Sequence, residues 1–323
     1  MIRRRTLLVT LALAGASLLS STAVAQERYP AKAVTLIVAG GAGEGLDMAG
    51  RAFADALQAS LGQAIVVVNA PGALTDGLAR LHDATPDGYT LGMVGSFAIT
   101  APLSGGVRFG PKDLSYLAHL GRDTFVLAVS PRSPYGTLRD YLAAGSGVTP
   151  PVSIGTAGQG MLSHVAAASI AQVAAVNLAI MPFPGSAGVL SAVGENRVAS
   201  AILLQSDIGP HAAHGAGPRP LATFGDIRSA RFPGVPTAAE QNLPGVPTGP
   251  WLGIGGPPGL TEPVRKALAA AIAKAAEDPK WKAFVQRQGL TGSLMTGPVL
   301  DRFVDGDVEA LRVTMQSLGL LAR

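Results

Sequence analysis

Two glycine-rich segments hold the residues with the clearest chemical potential. Ala39-Gly40-Gly41-Ala42-Gly43-Glu44-Gly45-Leu46-Asp47 follows the apolar run Thr35-Leu36-Ile37-Val38, and Ala157-Gly158-Gln159-Gly160-Met161 follows Ser153-Ile154-Gly155-Thr156. Residues with helical spacing come after each. Such a junction can cradle an anion, because the first amides of a helix lack intrahelical partners and carry about half a positive charge, while glycine admits a ligand close to the backbone. Neither segment is a nucleotide fingerprint: the first lacks the Gly-Lys-Ser/Thr of a P-loop and spaces its glycines G-x-G-x-G where a dinucleotide site needs G-x-G-x-x-G. Taken alone, each loop is equally well explained as a tight strand-to-helix turn. Two of them, 115 residues apart from Gly43 to Gly158 on a chain long enough for two domains, suggest one loop per domain. Facing across a cleft, they would grip a small molecule with an acidic group at each end. Ser96, Thr156, Gln159 and Ser163 stand where they could complete the hydrogen bonding, although such residues also serve as local caps and turns. Asp47 sits where a first-turn acid caps a helix, with contact to a ligand amino group as the lesser reading.

Catalytic chemistry finds little support. His82, His119, His164, His211 and His214 are the groups that titrate near neutrality. His211 and His214 are three apart with no carboxylate beside them, short of the ligand set zinc needs, so no metal site is expected. His164 falls just inside the helix after the second loop, a place for capping or packing. No Gly-x-Ser-x-Gly elbow presents a serine nucleophile. The absence of cysteine excludes thiolate chemistry, disulfides, iron–sulfur clusters and Cys-ligated zinc. Trp251 and Trp281 read as core or hinge packing. Binding without a cofactor is the expectation.

The elements that must position these loops alternate as in an α/β protein. Strand-like runs fall at 34–38, 65–68, 89–94, 125–129, 152–156, 199–204 and 221–224, and helical spacing at 47–61, 76–82, 163–176, 262–276, 279–288 and 298–317. Residues 232–258, dense in proline and glycine, read as an extended surface connection. No tandem repeat is present.

The chain has 323 residues, 48% of them hydrophobic and 14% charged, with a net charge of +4. That charge hints at a polyanionic partner until its location is considered. Arg3, Arg4 and Arg5, an apolar stretch and Ala23-Val24-Ala25 give residues 1–25 the layout of a cleavable signal peptide. Its loss would leave 22 basic against 21 acidic residues, a net charge of +1. No later Lys/Arg cluster suits a phosphate backbone, so no nucleic acid partner is expected. No later apolar run is long enough to span a bilayer. With no cysteine to carry a lipid, a soluble, exported protein is expected.

Several longer segments resemble a known family. Tyr29-Pro30 with the first glycine loop and Asp47, Val68-Asn69-Ala70-Pro71-Gly72-Ala73, Pro86-Asp87-Gly88-Tyr89-Thr90-Leu91, Gly155-Thr156-Ala157-Gly158-Gln159-Gly160 with Ser163-His164, Pro182-Phe183-Pro184-Gly185-Ser186 and Arg231-Phe232-Pro233-Gly234-Val235-Pro236-Thr237-Ala238-Ala239-Glu240 are similar to the Bug family. These are periplasmic solute-binding proteins of tripartite tricarboxylate transporters, and the resemblance runs from about residue 29 to the C-terminus.

The resemblance implies a two-domain α/β periplasmic binding protein, a Venus flytrap of type II-like form whose chain crosses between the domains twice. Residues 26–124 with 223–323 would form domain 1 and residues 125–222 domain 2. It implies a small carboxylate ligand, a di- or tricarboxylate or an aromatic or amino acid, held by backbone amides, hydroxyls and water and passed to membrane permease subunits. The matching contacts are Gly40, Gly41, Ala42, Gly43 and Ser96 in domain 1, and Thr156, Gly158, Gln159, Gly160, Ser163 and Ser186 in domain 2. A module serving a sensor kinase, or an α/β enzyme, are the competing readings. The sequence also departs from the family pattern. Val38-Ala39 replaces a Pro-Phe start, Leu74-Thr75 stands in place of Gly-Gly, Ala199 follows Val198 where Asp is usual, and Glu44-Gly45-Leu46 precedes Asp47. Glu44 beside an anion cradle would repel a carboxylate unless it points to solvent.

Overall fold

The structure, a computed structural model, describes residues 29–70, 74–147, 150–212 and 217–322. The expected leader at 1–25 and the turn residues Pro71-Gly72-Ala73 lie outside the described residues.

Four strands open the first sheet: β1 (Val34–Ala39), β2 (Ile65–Ala70), β3 (Thr90–Gly95) and β4 (Ser115–Arg122). The chain then crosses to build a second sheet from β5 (Phe125–Val129), β6 (Val152–Ala157), β7 (Leu178–Phe183), β8 (Ser200–Leu204) and β9 (Arg219–Thr223). It returns as β10 (Trp251–Gly256), which inserts between β3 and β4. The resulting orders are β2-β1-β3-β10-β4 and β7-β6-β8-β5-β9. The plan is the same in both: a parallel trio of strands, β2-β1-β3 or β7-β6-β8, followed by one antiparallel strand, β10 or β5. Each sheet thus holds one strand that the chain reaches by crossing over.

The two crossings run side by side. Asp123 N–H donates to Pro250 O at 2.9 Å and Phe125 N–H to Thr248 O at 2.9 Å. Glycine is required at 249, where φ is 148° and an added Cβ would lie 2.1 Å from Asp123 O.

Residues 251–256 correct the expectation of a surface connection, since all six residues of β10 are buried. Its glycines read as loop because they look like turn formers, yet they answer to close packing: a Cβ on Gly253 would sit 2.0 Å from Ala118 O in the neighbouring strand. Ser115–Arg122 and Leu178–Phe183 were likewise outside the expected strands.

Helices cover the sheets with their apolar stripes. In α1 (Gly45–Leu61), Phe53 and Leu57 are fully buried, and Phe53 meets Trp281 edge-on with ring centres 5.0 Å apart. The helices α2 (Leu74–His82), α3 (Phe97–Leu103), α4 (Leu138–Gly145), α5 (Leu162–Val173), α6 (Gly185–Gly194) and α7 (Gln205–Ala212) follow strands of both sheets. After β10 come α8 (Glu262–Ala276), α9 (Pro279–Gln288), capped by the Asp278 carboxylate, and α10 (Gly297–Ser317). The last buries Leu300, Val304, Val308, Leu311 and Met315, a single stripe at helical spacing. Among the described residues no helix is long and apolar enough to cross a membrane.

A candidate ligand cleft between the two sheets

A cavity of about 1150 Å³ opens where strands of both sheets end. Its walls are the loops after β1, β6, β7 and β8, the crossings at Asp123 and Pro250, and the C-terminal residues Gly319–Leu321. Ligands of open α/β sheets sit beyond the carboxyl ends of the strands, where helix starts present amides.

Asp47 shapes the first loop. Its carboxylate accepts from Gly43 N–H at 2.8 Å, Arg51 Nε at 3.0 Å and Asn69 Nδ2 at 2.9 Å. Burial alone would raise its pKa, but these donors outweigh burial and hold it below the usual carboxylate range. Asp47 is therefore engaged locally and does not line the cavity. The loop it fixes leaves the Gly41 and Ala42 amides without a hydrogen bond among the described residues.

The second loop is braced from its own helix. Ser163 Oγ accepts the Ala157 amide at 3.0 Å and His164 Nδ1 accepts the Gly160 amide at 3.0 Å, while Gly158 N–H donates to Phe183 O at 2.9 Å. Burial pulls the His164 pKa down, which suits an imidazole whose Nδ1 must stay unprotonated to accept. The Gln159 amide has no such bond among the described residues. Where the two sides approach, a Cβ on Gly160, at φ 70°, would lie 2.7 Å from Ser104 Cβ.

Of the expected contacts, Gly40, Gly41, Gly158, Gln159, Gly160, Ser163 and Ser186 line the cavity. Ala42 and Gly43 belong to the same loop but lie outside the lining. Ser96 is buried elsewhere, its Oγ accepting the Trp251 amide at 3.2 Å and so tying α3 to β10. Thr156 is fully buried beneath the loop, with its hydroxyl unpartnered among the described residues. The side chain of His211 and all of His214 lie outside the described residues.

Other lining residues escaped the sequence reading. Leu46, Phe97, Phe183 and Trp251 give the cavity apolar walls, and Trp251 Nε1 is anchored behind them on Asp307 at 2.8 Å. Glu44 does not turn to solvent. Its Oε2 lies 2.8 Å from where a Cβ on Gly40 would be, and its Oε1 lies 3.2 Å from the corresponding point on Gly185, across the cavity at the start of α6. Asp123, at the first crossing, is fully enclosed, and burial pushes its carboxyl up to about 7 despite a hydrogen bond from Ser206, with Asp207 adding to the rise. Its place just before a strand was the only available signal. Glu44, Asp123 and Asp207 line the cavity; among the described residues no Lys, Arg or His does.

Two similar sheets joined by paired crossings, with glycine loops around an intervening cavity, define a solute-binding protein of the periplasmic class. The profile of the tripartite tricarboxylate transporter family receptor matches residues 49–320, and the chain belongs to that family. Among its relatives are a UPF0065 protein of Cupriavidus necator, 28% identical over 91% of this chain and 90% of its own, and protein BugT of Bordetella pertussis, 27% identical over 88% and 89%. Solved structures show the same fold. A TctC solute-binding protein from Polaromonas is 26% identical with a TM-score of 0.69, covering 90% of this chain and 99% of its own. MatC from Rhodopseudomonas palustris with bound malate has a TM-score of 0.78 at 24% identity, covering 88% and 99%, and Rpa4515 of the same organism with adipate has 0.82 at 22%, covering 90% and 98%.

Proposed function

We propose that this protein captures a small carboxylate in the periplasm and presents it to membrane permease subunits of a tripartite tricarboxylate-type transporter. The observation that carries this reading is the cavity, bordered by the amides of Gly41 and Gln159, which have no partner among the described residues. Malate in MatC and adipate in Rpa4515 support a carboxylate as the ligand class. Gly40, Gly41, Gly158, Gln159, Gly160, Ser163 and Ser186 would contact the ligand, while Ala42, Gly43, Ser96 and Thr156 would hold the loops that do. Residues 26–124 with 223–323 and residues 125–222 would be the two closing domains, each built on one sheet. The protein would act without a cofactor and without chemical turnover, as a monomer released by cleavage near Ala25.

A thermal-shift panel of mono- and dicarboxylates of about four to ten carbons tests this, because a ligand that binds only the folded state raises the melting temperature. A rise with at least one carboxylate is expected. Silence across the panel, with a rise for sugars instead, overturns the reading.

A further inference from the structure

Glu44 occupies the position where a carboxylate ligand would meet most resistance. Its oxygens lie close to Gly40 and Gly41 on one side and to Gly185 on the other, so the carboxylate sits between a loop of each sheet. It is half-buried, and its carboxylate accepts no hydrogen bond from any described residue. No Lys, Arg or His among the described residues lines the cavity beside it. A second carboxylate brought beside Glu44 would face like charge in a partly water-excluded space, whereas an ammonium group would supply the donor and the countercharge that Glu44 lacks.

We propose that Glu44 is a specificity-determining residue that selects ligands bearing a protonated amine beside the carboxylate, a zwitterionic amino acid with an apolar side chain, over dicarboxylates. The carboxylate of such a ligand faces the amides of Gly41 and Gln159. Its ammonium group donates to Glu44, and its side chain lies against Leu46, Phe97, Phe183 and Trp251. This inference rests on the proposed solute-binding cavity and names its ligand class.

The experiment is calorimetric titration of the wild-type protein with leucine, phenylalanine, their amine-free analogues 4-methylpentanoate and 3-phenylpropanoate, and malate and adipate, repeated on Glu44→Gln. Wild type is expected to bind at least one amino acid about tenfold or more tightly than its amine-free analogue and than either dicarboxylate. Glu44→Gln, which keeps the shape and removes the charge, is expected to erase that preference. Wild-type binding of malate, adipate or an amine-free acid in preference to the amino acids overturns the inference while leaving the carboxylate reading intact. Silence to all six ligands overturns the inference, and the wider carboxylate thermal-shift panel then decides the reading on which it rests. A Glu44→Gln protein that folds and keeps the amino-acid preference removes Glu44 from the role, and the wild-type comparison decides the ligand class even if the variant fails to fold.

Discussion

Buried acids do different work at different places in this chain. Asp47 is held charged by three donors and shapes the first loop. Asp123 has Ser206, the Thr124 amide and Gln205 to offset near-complete burial, and Asp207 nearby works against ionisation. Its carboxyl is pushed up from an ordinary 3.8 to about 7, so the native state holds the proton more tightly than the unfolded chain does. The stability this gives is complete at or below about pH 4 and is lost as pH rises toward about 7, because over that window the folded state binds more protons. Urea unfolding between about pH 5 and pH 8 should therefore show wild type losing stability relative to Asp123→Asn, by about 1 kcal/mol or more. Equal pH profiles for the two proteins would refute this assignment. Asp47 was legible in the sequence as a first-turn acid, because capping is a local relation. The elevation at Asp123 was not, since burial comes from chain segments more than 80 residues away, such as Ser206 at |i−j| = 83.

At the scale of elements, the strand that completes the first sheet depends on glycine for a reason that its composition hides. Gly253→Val in β10 forces a side chain onto the Ala118 carbonyl and is expected to cost more than about 3 kcal/mol by chemical denaturation. Gly306→Ala in α10 is the contrasting case. Position 306 is exposed, an added Cβ meets nothing within 4 Å, and the change should stabilise by about 0.5–1 kcal/mol through helix propensity. A tolerated Gly253→Val would mean that β10 is not packed at this register. The β1, α1, β5 and α9 segments were readable from periodicity because each carries its own apolar run or stripe, with proline or glycine at its ends. The Trp-Leu-Gly-Ile-Gly-Gly strand was not, because its glycines are explained only by neighbouring strands distant in sequence.

For the whole molecule, two sheets of matching plan are linked by two adjacent crossings that share hydrogen bonds, the arrangement a hinge motion would use. A monomer of this length should scatter with a radius of gyration near the compact value of about 20 Å, falling when a saturating ligand closes the domains. Small-angle scattering that shows no change on binding would argue against closure, and a much larger value would argue against a monomer. The sequence by itself determined the α/β class, the two strand–loop–helix junctions and the family, because hydrophobic periodicity, glycine at strand ends and motif spacing are local properties of the chain. Only the tertiary structure decided that Ser96 braces a strand while Ser163 faces the cavity, and that Glu44 reaches across from one glycine loop to the other side. Those outcomes depend on which segments meet when the two sheets come together, and no local pattern encodes the direction in which a side chain then points.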